Sequence, residues 1–185
     1  MTERARGHPN LAFAVGSLND SLSFSDTVVT STPDLNPIKA FVFCGQGPQH
    51  EDMGRHLYMR LAAFRNSVNA SFEMVAKFHR KNFQEEYGLF NPEAEGKVAK
   101  TETGDWKVEC IVIAITIFQI ALFDLWVDLG VKPDVVMGHS VGEIAAMYAS
   151  GALSHEKAIR TAIARSNALT LLDTDDGQMA ALGVS

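Results

Sequence analysis

Val136-Met-Gly-His-Ser-Val-Gly-Glu-Ile-Ala-Ala146 decides the fold of this chain, because it sets Ser140 in a G-x-S-x-G pattern between a β-branched apolar run and a helix-forming one. Strand, sharp turn and helix in that order are the sequence form of a nucleophile elbow. A serine hydroxyl is a weak nucleophile at neutral pH, so an elbow does chemistry only when a base and an oxyanion hole are aimed at it. Gly138 and Gly142 stand two places before and after the serine, where small residues let strand and helix approach closely. The backbone N–H of Val141 then opens the helix, where unpaired donors and the dipole favour a developing oxyanion.

Upstream of the elbow, Ile38-Lys-Ala-Phe-Val-Phe43 reads as a short strand halted by Cys-Gly-Gln-Gly-Pro48, a turn whose glycines free the Gln46 backbone. Leu57, Leu61, Phe64, Val68, Phe72 and Val75 keep helical spacing over 57–79, and the polar stretch 80–107 reads as a long surface loop. An apolar helix over 108–129 ends at Gly130 and Pro133, before a strand over Asp134 to Met137 and a helix from Glu143 to about Ser150. Ser154 is placed to cap a helix running to about Leu172, and Gln178 to Val184 reads as a further strand. This alternation predicts an α/β layered domain over 38–185. Ser17 to Pro37 is rich in Ser, Thr, Asp, Asn and Pro, and residues 1–37 read as a connecting segment.

With 185 residues and 46% hydrophobic content, the chain suits one compact domain. Its formal charge of −6 carries no basic block, which argues against nucleic acid or an anionic membrane as partner. Cys44 and Cys110 have neither metal-ligand nor C-x-x-C spacing, so no metal site is expected and a reducing, cytoplasmic setting is the default. Leu11 to Val15 is too short for a signal-peptide core. Ile111 to Val127 is interrupted by Thr116, Gln119 and Asp124, and reads as a buried helix rather than a membrane span.

Phe43-Cys-Gly-Gln-Gly-Pro-Gln49 with Met53-Gly54, and Gly138-His-Ser-Val-Gly-Glu143, resemble the two signature motifs of acyl-carrier-protein malonyl transferases. The match is to the acyltransferase domain of type I polyketide and fatty acid synthases. Trp126, Tyr148-Ala-Ser-Gly-Ala-Leu153 and Gln178-Met-Ala-Ala-Leu182 are similar in order and spacing. His8 to Leu18 and Phe24 resemble the end of the ketosynthase–acyltransferase linker, which would make 38–185 the N-terminal part of the acyltransferase domain. The resemblance implies a partial α/β-hydrolase-like three-layer core, ending where a ferredoxin-like small subdomain would start.

The same resemblance implies that Ser140 carries an acyl group from a coenzyme A thioester to the phosphopantetheine thiol of an acyl carrier protein. The backbone N–H groups of Gln46 and Val141 would form the oxyanion hole, with Arg165 and His139 on the substrate-binding side. Arg165 matches the arginine that holds the free carboxylate of malonyl or methylmalonyl groups. It stands at the border of the face formed by Ala158, Ile159, Ala162, Ile163, Ser166 and Leu169, where its stem can be buried and its fork point inward. Val141 leans toward a malonyl unit. No bound cofactor is implied, and the partners would be the carrier protein and the neighbouring ketosynthase and linker.

The family's catalytic histidine comes well after the serine, and this chain stops 45 residues past Ser140 (185 − 140). The chain alone is therefore expected to be nearly inert, since a positioned base contributes roughly 10²- to 10⁴-fold. Two positions depart from the family pattern: Val112 stands where a glutamine near the site is usual, and His50 where an aromatic residue is common. An α/β-hydrolase esterase or thioesterase shares the elbow but gives no reason for the Gln46 corner or Arg165. A non-catalytic acyl-coenzyme A binding module is the remaining alternative.

Overall fold

The computed structural model describes residues 10–13, 28–31, 38–50, 52–79, 88–90 and 106–171. The chain divides into two compact units, Met1–Ile38 and Lys39–Ser185. In the first, β1 (Asn10–Phe13) and β2 (Val28–Ser31) form an antiparallel ladder, with Asn10 opposite Ser31 and Phe13 opposite Val28. The polar composition of 1–37 hides this ladder, because two four-residue strands are too short to show a clear period.

In the second unit, β3 (Ala40–Phe43) runs parallel to β4 (Val135–Gly138), pairing Ala40 with Val135 and Phe43 with Gly138. Asp134 fixes the start of this pair: its Oδ2 accepts the Lys39 backbone N–H at 2.8 Å and Nζ at 2.9 Å. Phe41 and Phe43 turn toward Phe123 of α3 (Val108–Asp128), with ring centroids 6.3 and 6.4 Å away. Val42, Val135 and Met137, on the alternate pleat, are exposed. Of the three layers expected, the sheet and one helical layer fall within the described residues.

That layer is built around α3, which packs against α2 (Ala62–His79), α4 (Gly142–Ala149) and α5 (His155–Leu171). A helix apolar on every side has to be enclosed, and α3 is buried from Cys110 through Ile117 and at Ile120 and Ala121. Its length, and a mean hydropathy of 2.3 over an 18-residue window, would also suit a membrane, but here its partners are other helices. The hydroxyl of Thr116 is satisfied inside the helix by the Val112 carbonyl at 2.8 Å.

The helical stretch over 57–79 consists of two helices, α1 (Arg55–Arg60) and α2, with Leu61 extended between them. Arg65 reaches back and donates to the carbonyls of Tyr58 and Met59 at 3.1 and 3.2 Å, satisfying groups that the break leaves open. Within the stretch expected as surface loop, Leu89 and Phe90 are buried, Phe90 lying against Phe64, Phe72 and Phe118. The rest of 80–105 and the strand foreseen at Gln178 to Val184 lie outside the described residues.

Candidate active site

Ser140 occupies the turn between β4 and α4 with φ = 53°, a left-handed conformation that a non-glycine residue holds only under strain. The two flanking glycines make the turn possible by proximity. A Cβ on Gly138 would stand 2.5 Å from the Glu143 Cα, and one on Gly142 would run into the backbone carbonyl oxygens of Phe43 and Cys44. Strand β3, elbow and helix α4 are thus in backbone contact. The turn is closed by hydrogen bonds from the Gly142 N–H to the His139 carbonyl at 2.9 Å and from the Glu143 N–H to the Ser140 carbonyl at 3.1 Å.

Val141 is the N-cap of α4, its side chain buried in the core. The Gly45-Gln46-Gly47 corner abuts the elbow: a Cβ on Gly45 would lie 3.3 Å from the Ser140 Cβ. Gln46 itself is exposed at this rim. Gln119 of α3 braces the corner from below, its Nε2 donating to the Cys44 carbonyl at 2.7 Å while its Oε1 is buried without a hydrogen-bond partner. Sequence reasoning noted Gln119 only as an interruption of an apolar helix; a lone amide in such a run was the available signal.

Arg165 comes to the same point from α5. Ala158, Ile159, Ala162, Ile163 and Ser166 bury the helix face, and Ser166 Oγ donates to the Glu109 carbonyl at 3.2 Å. Half-buried at the edge of that face, Arg165 sends Nη2 to Ser140 Oγ at 3.1 Å. Ser140, Arg165 and the two residues expected to form the oxyanion hole, Gln46 and Val141, therefore share one rim.

His139 is exposed, with Nδ1 2.9 Å from where a Gly45 Cβ would stand, so its ring packs over the corner. His50 bonds the Pro48 carbonyl at 3.2 Å, and His155 meets Ser71 at 2.8 Å. Among the described residues no histidine hydrogen-bonds Ser140. Val112 is fully buried in the core. The Cys110 thiol is pushed up to about 12 by burial, with Glu109 adding to the rise, which leaves it unreactive, whereas Cys44 is exposed beside the corner.

A family model described as the acyl transferase domain matches residues 40–185. The chain is 36% identical over 183 residues to the highly reducing polyketide synthase sphB of Aspergillus fumigatus, a stretch covering 98% of this chain and 7% of that protein. It is 36% identical over 148 residues to the highly reducing polyketide synthase stpks1 of Strobilurus tenacellus, covering 80% of this chain and 5% of that one. Among solved structures, a loading acyltransferase from the avermectin modular polyketide synthase superposes with a TM-score of 0.61 at 36% identity, over 72% of this chain and 39% of that chain. The acyl transferase domain of ZmaA shares the fold, with a TM-score of 0.70 at 24% identity over 80% of this chain and 33% of that chain.

Proposed function

The chain belongs to the acyl transferase domain family, in the form carried by type I polyketide synthases, and on that premise we propose that Ser140 ferries a dicarboxylic acyl unit, malonyl or a close relative, from coenzyme A to a carrier protein. The observation that carries this reading is the 3.1 Å contact from Arg165 Nη2 to Ser140 Oγ, at a serine held in a left-handed turn. A hydrolase that transfers a neutral acyl group to water has no need of a cation there.

In the first half-reaction Ser140 Oγ attacks the thioester carbonyl carbon. An O–C bond forms, the C–S bond breaks, and the serine proton passes through a general base to the departing coenzyme A sulfur. The N–H groups of Gln46 and Val141 support the negative oxygen of the tetrahedral intermediate, one from the corner and one from the head of α4. Arg165 turns from Ser140 to the free carboxylate of the bound acyl group, a charge-assisted bidentate pair worth roughly 1.5 to 3 kcal/mol. In the second half-reaction the phosphopantetheine thiol of the carrier protein attacks the acyl-serine ester and Ser140 leaves with its proton restored.

Among the described residues Ser140 Oγ is met by Arg165 and by no histidine, so these 185 residues alone turn over poorly. The test is competitive loading of Ser140 from malonyl- and acetyl-coenzyme A in the domain carrying these residues. Arg165→Ala lowers the malonyl-to-acetyl ratio about tenfold or more. An equal loss of both acyl groups would refute the carboxylate role.

A further inference from the structure

The α4–α5 hairpin meets itself at two ends, and only one of them is the rim with Ser140 and Arg165. At the other, Asp124 of α3 accepts the Tyr148 hydroxyl on Oδ1 at 2.7 Å and the Ser67 hydroxyl on Oδ2 at 2.6 Å. One residue turn away on α2, the fully buried Ser71 donates its hydroxyl proton to the Ser67 carbonyl at 3.0 Å. Its Oγ also lies 2.8 Å from Nε2 of His155. With the Ser71 proton directed at the Ser67 carbonyl, His155 is assigned as the donor, in its Nε2–H form. The Tyr148 and His155 rings meet with centroids 5.4 Å apart.

Five side chains from α2, α3, α4 and α5 thus share one polar cluster, on a hairpin whose other end is the site. Tyr148 lies in the last turn of α4, whose first residues follow Ser140. His155 opens α5 ten residues before Arg165, about 15 Å along the helix axis. Apolar side chains of similar volume would hold four helices together as well or better. What the hydrogen bonds add is register: Tyr148 Oη fixes how far α4 slides along α3, and His155 Nε2 fixes α5 against α2. Because a helix transmits displacement along its axis, both settings are felt where Arg165 meets Ser140.

We propose that Asp124, Tyr148 and His155 are positioning residues that hold Arg165 in register with Ser140, and so help set which acyl unit the serine accepts. The proposal rests on the roles given above to Ser140 and Arg165.

The test follows the side-chain N–H resonances of Arg165 in the full chain by ¹⁵N NMR, beside the melting temperature. Ser140→Ala shifts these resonances, which reports the contact itself. Tyr148→Phe and His155→Leu shift the same resonances and speed their hydrogen exchange about three- to tenfold. His155→Gln, which keeps an N–H donor for Ser71, restores the wild-type signal. Ile159→Val, a packing loss on the same helix, lowers the melting temperature and leaves Arg165 unmoved. If His155→Leu fails to fold, Tyr148→Phe, which deletes one oxygen, carries the test. Melting temperatures lowered by Tyr148→Phe with Arg165 resonances unchanged would overturn the proposal. Resonances blind to Ser140→Ala would instead remove the Ser140–Arg165 pairing on which it stands.

Discussion

The two ends of the α4–α5 hairpin are held by different physics. At the rim, order comes from backbone proximity: Gly142 is packed so closely on the Phe43 carbonyl that no side chain fits, and Ser140 is bent to φ = 53°. At the base, order comes from side chains, with Asp124, Tyr148, His155, Ser67 and Ser71 joined in hydrogen bonds of 2.6 to 3.0 Å. Strain is concentrated at Ser140, and satisfied polar bonds lie at the far end. A rim that carries strain needs a base that resists it.

Substitutions should separate the two ends. Gly142→Ala places a methyl group against two carbonyl oxygens, and is expected to destabilise the chain by at least about 3 kcal/mol in denaturant unfolding. Gly142→Ser should be equally harmful, since the Cβ alone causes the collision. Asp124→Ala strands the hydroxyls of Tyr148 and Ser67, with an expected loss of about 2 to 3 kcal/mol. Asp124→Asn, which keeps one acceptor oxygen, should lose about half of that. If Asn and Ala were equivalent at Asp124, the base would be held by packing and the contrast between the ends would collapse.

Ser140→Gly should act in the opposite direction. It relieves the left-handed strain and is expected to raise stability by up to about 1 kcal/mol, after the extra freedom of glycine in the unfolded chain is counted. Acyl loading should vanish in the same variant. A destabilised Ser140→Gly would show that the elbow is relaxed.

The smallest effect is that of pH on His155. Burial lowers its pKa below the ordinary 6.5, with Asp124 opposing in part. The unfolded chain therefore binds the proton more readily, and stability rises with pH. The neutral ring's contribution is fully present above about pH 6.5 and is lost as pH falls toward the depressed folded value. Tyr148, pushed up by burial and by Asp124, stays protonated throughout this range. Melting temperatures of wild type and His155→Gln measured against pH should diverge below neutrality, the wild type falling more steeply. Parallel curves would mean that His155 titrates as it does in the unfolded chain.

Much of the rim was legible in the sequence, because elbow chemistry is local. Gly138, Ser140 and Gly142 lie within five residues. The base was not legible, since Ser71 and His155 are 84 residues apart and nothing in either neighbourhood announces the other. Gln119 was seen but not understood: its partner, the Cys44 carbonyl, belongs to the backbone and leaves no trace in residue type. The break at Leu61 carries no glycine or proline, and is made by Arg65 satisfying carbonyls from the following helix. Burial of Phe90 depends on Phe64, Phe72 and Phe118, which local polarity cannot reveal.

Intact-protein mass after incubation with malonyl-coenzyme A, for the acyltransferase domain carrying residues 38–185 and for its Ser140→Ala variant, shows whether Ser140 takes up the acyl group. A single malonyl adduct is expected on the domain, mapped to Ser140 and absent from the alanine variant. An adduct of equal yield in Ser140→Ala, or none in the domain with serine intact, would contradict acyl transfer through Ser140.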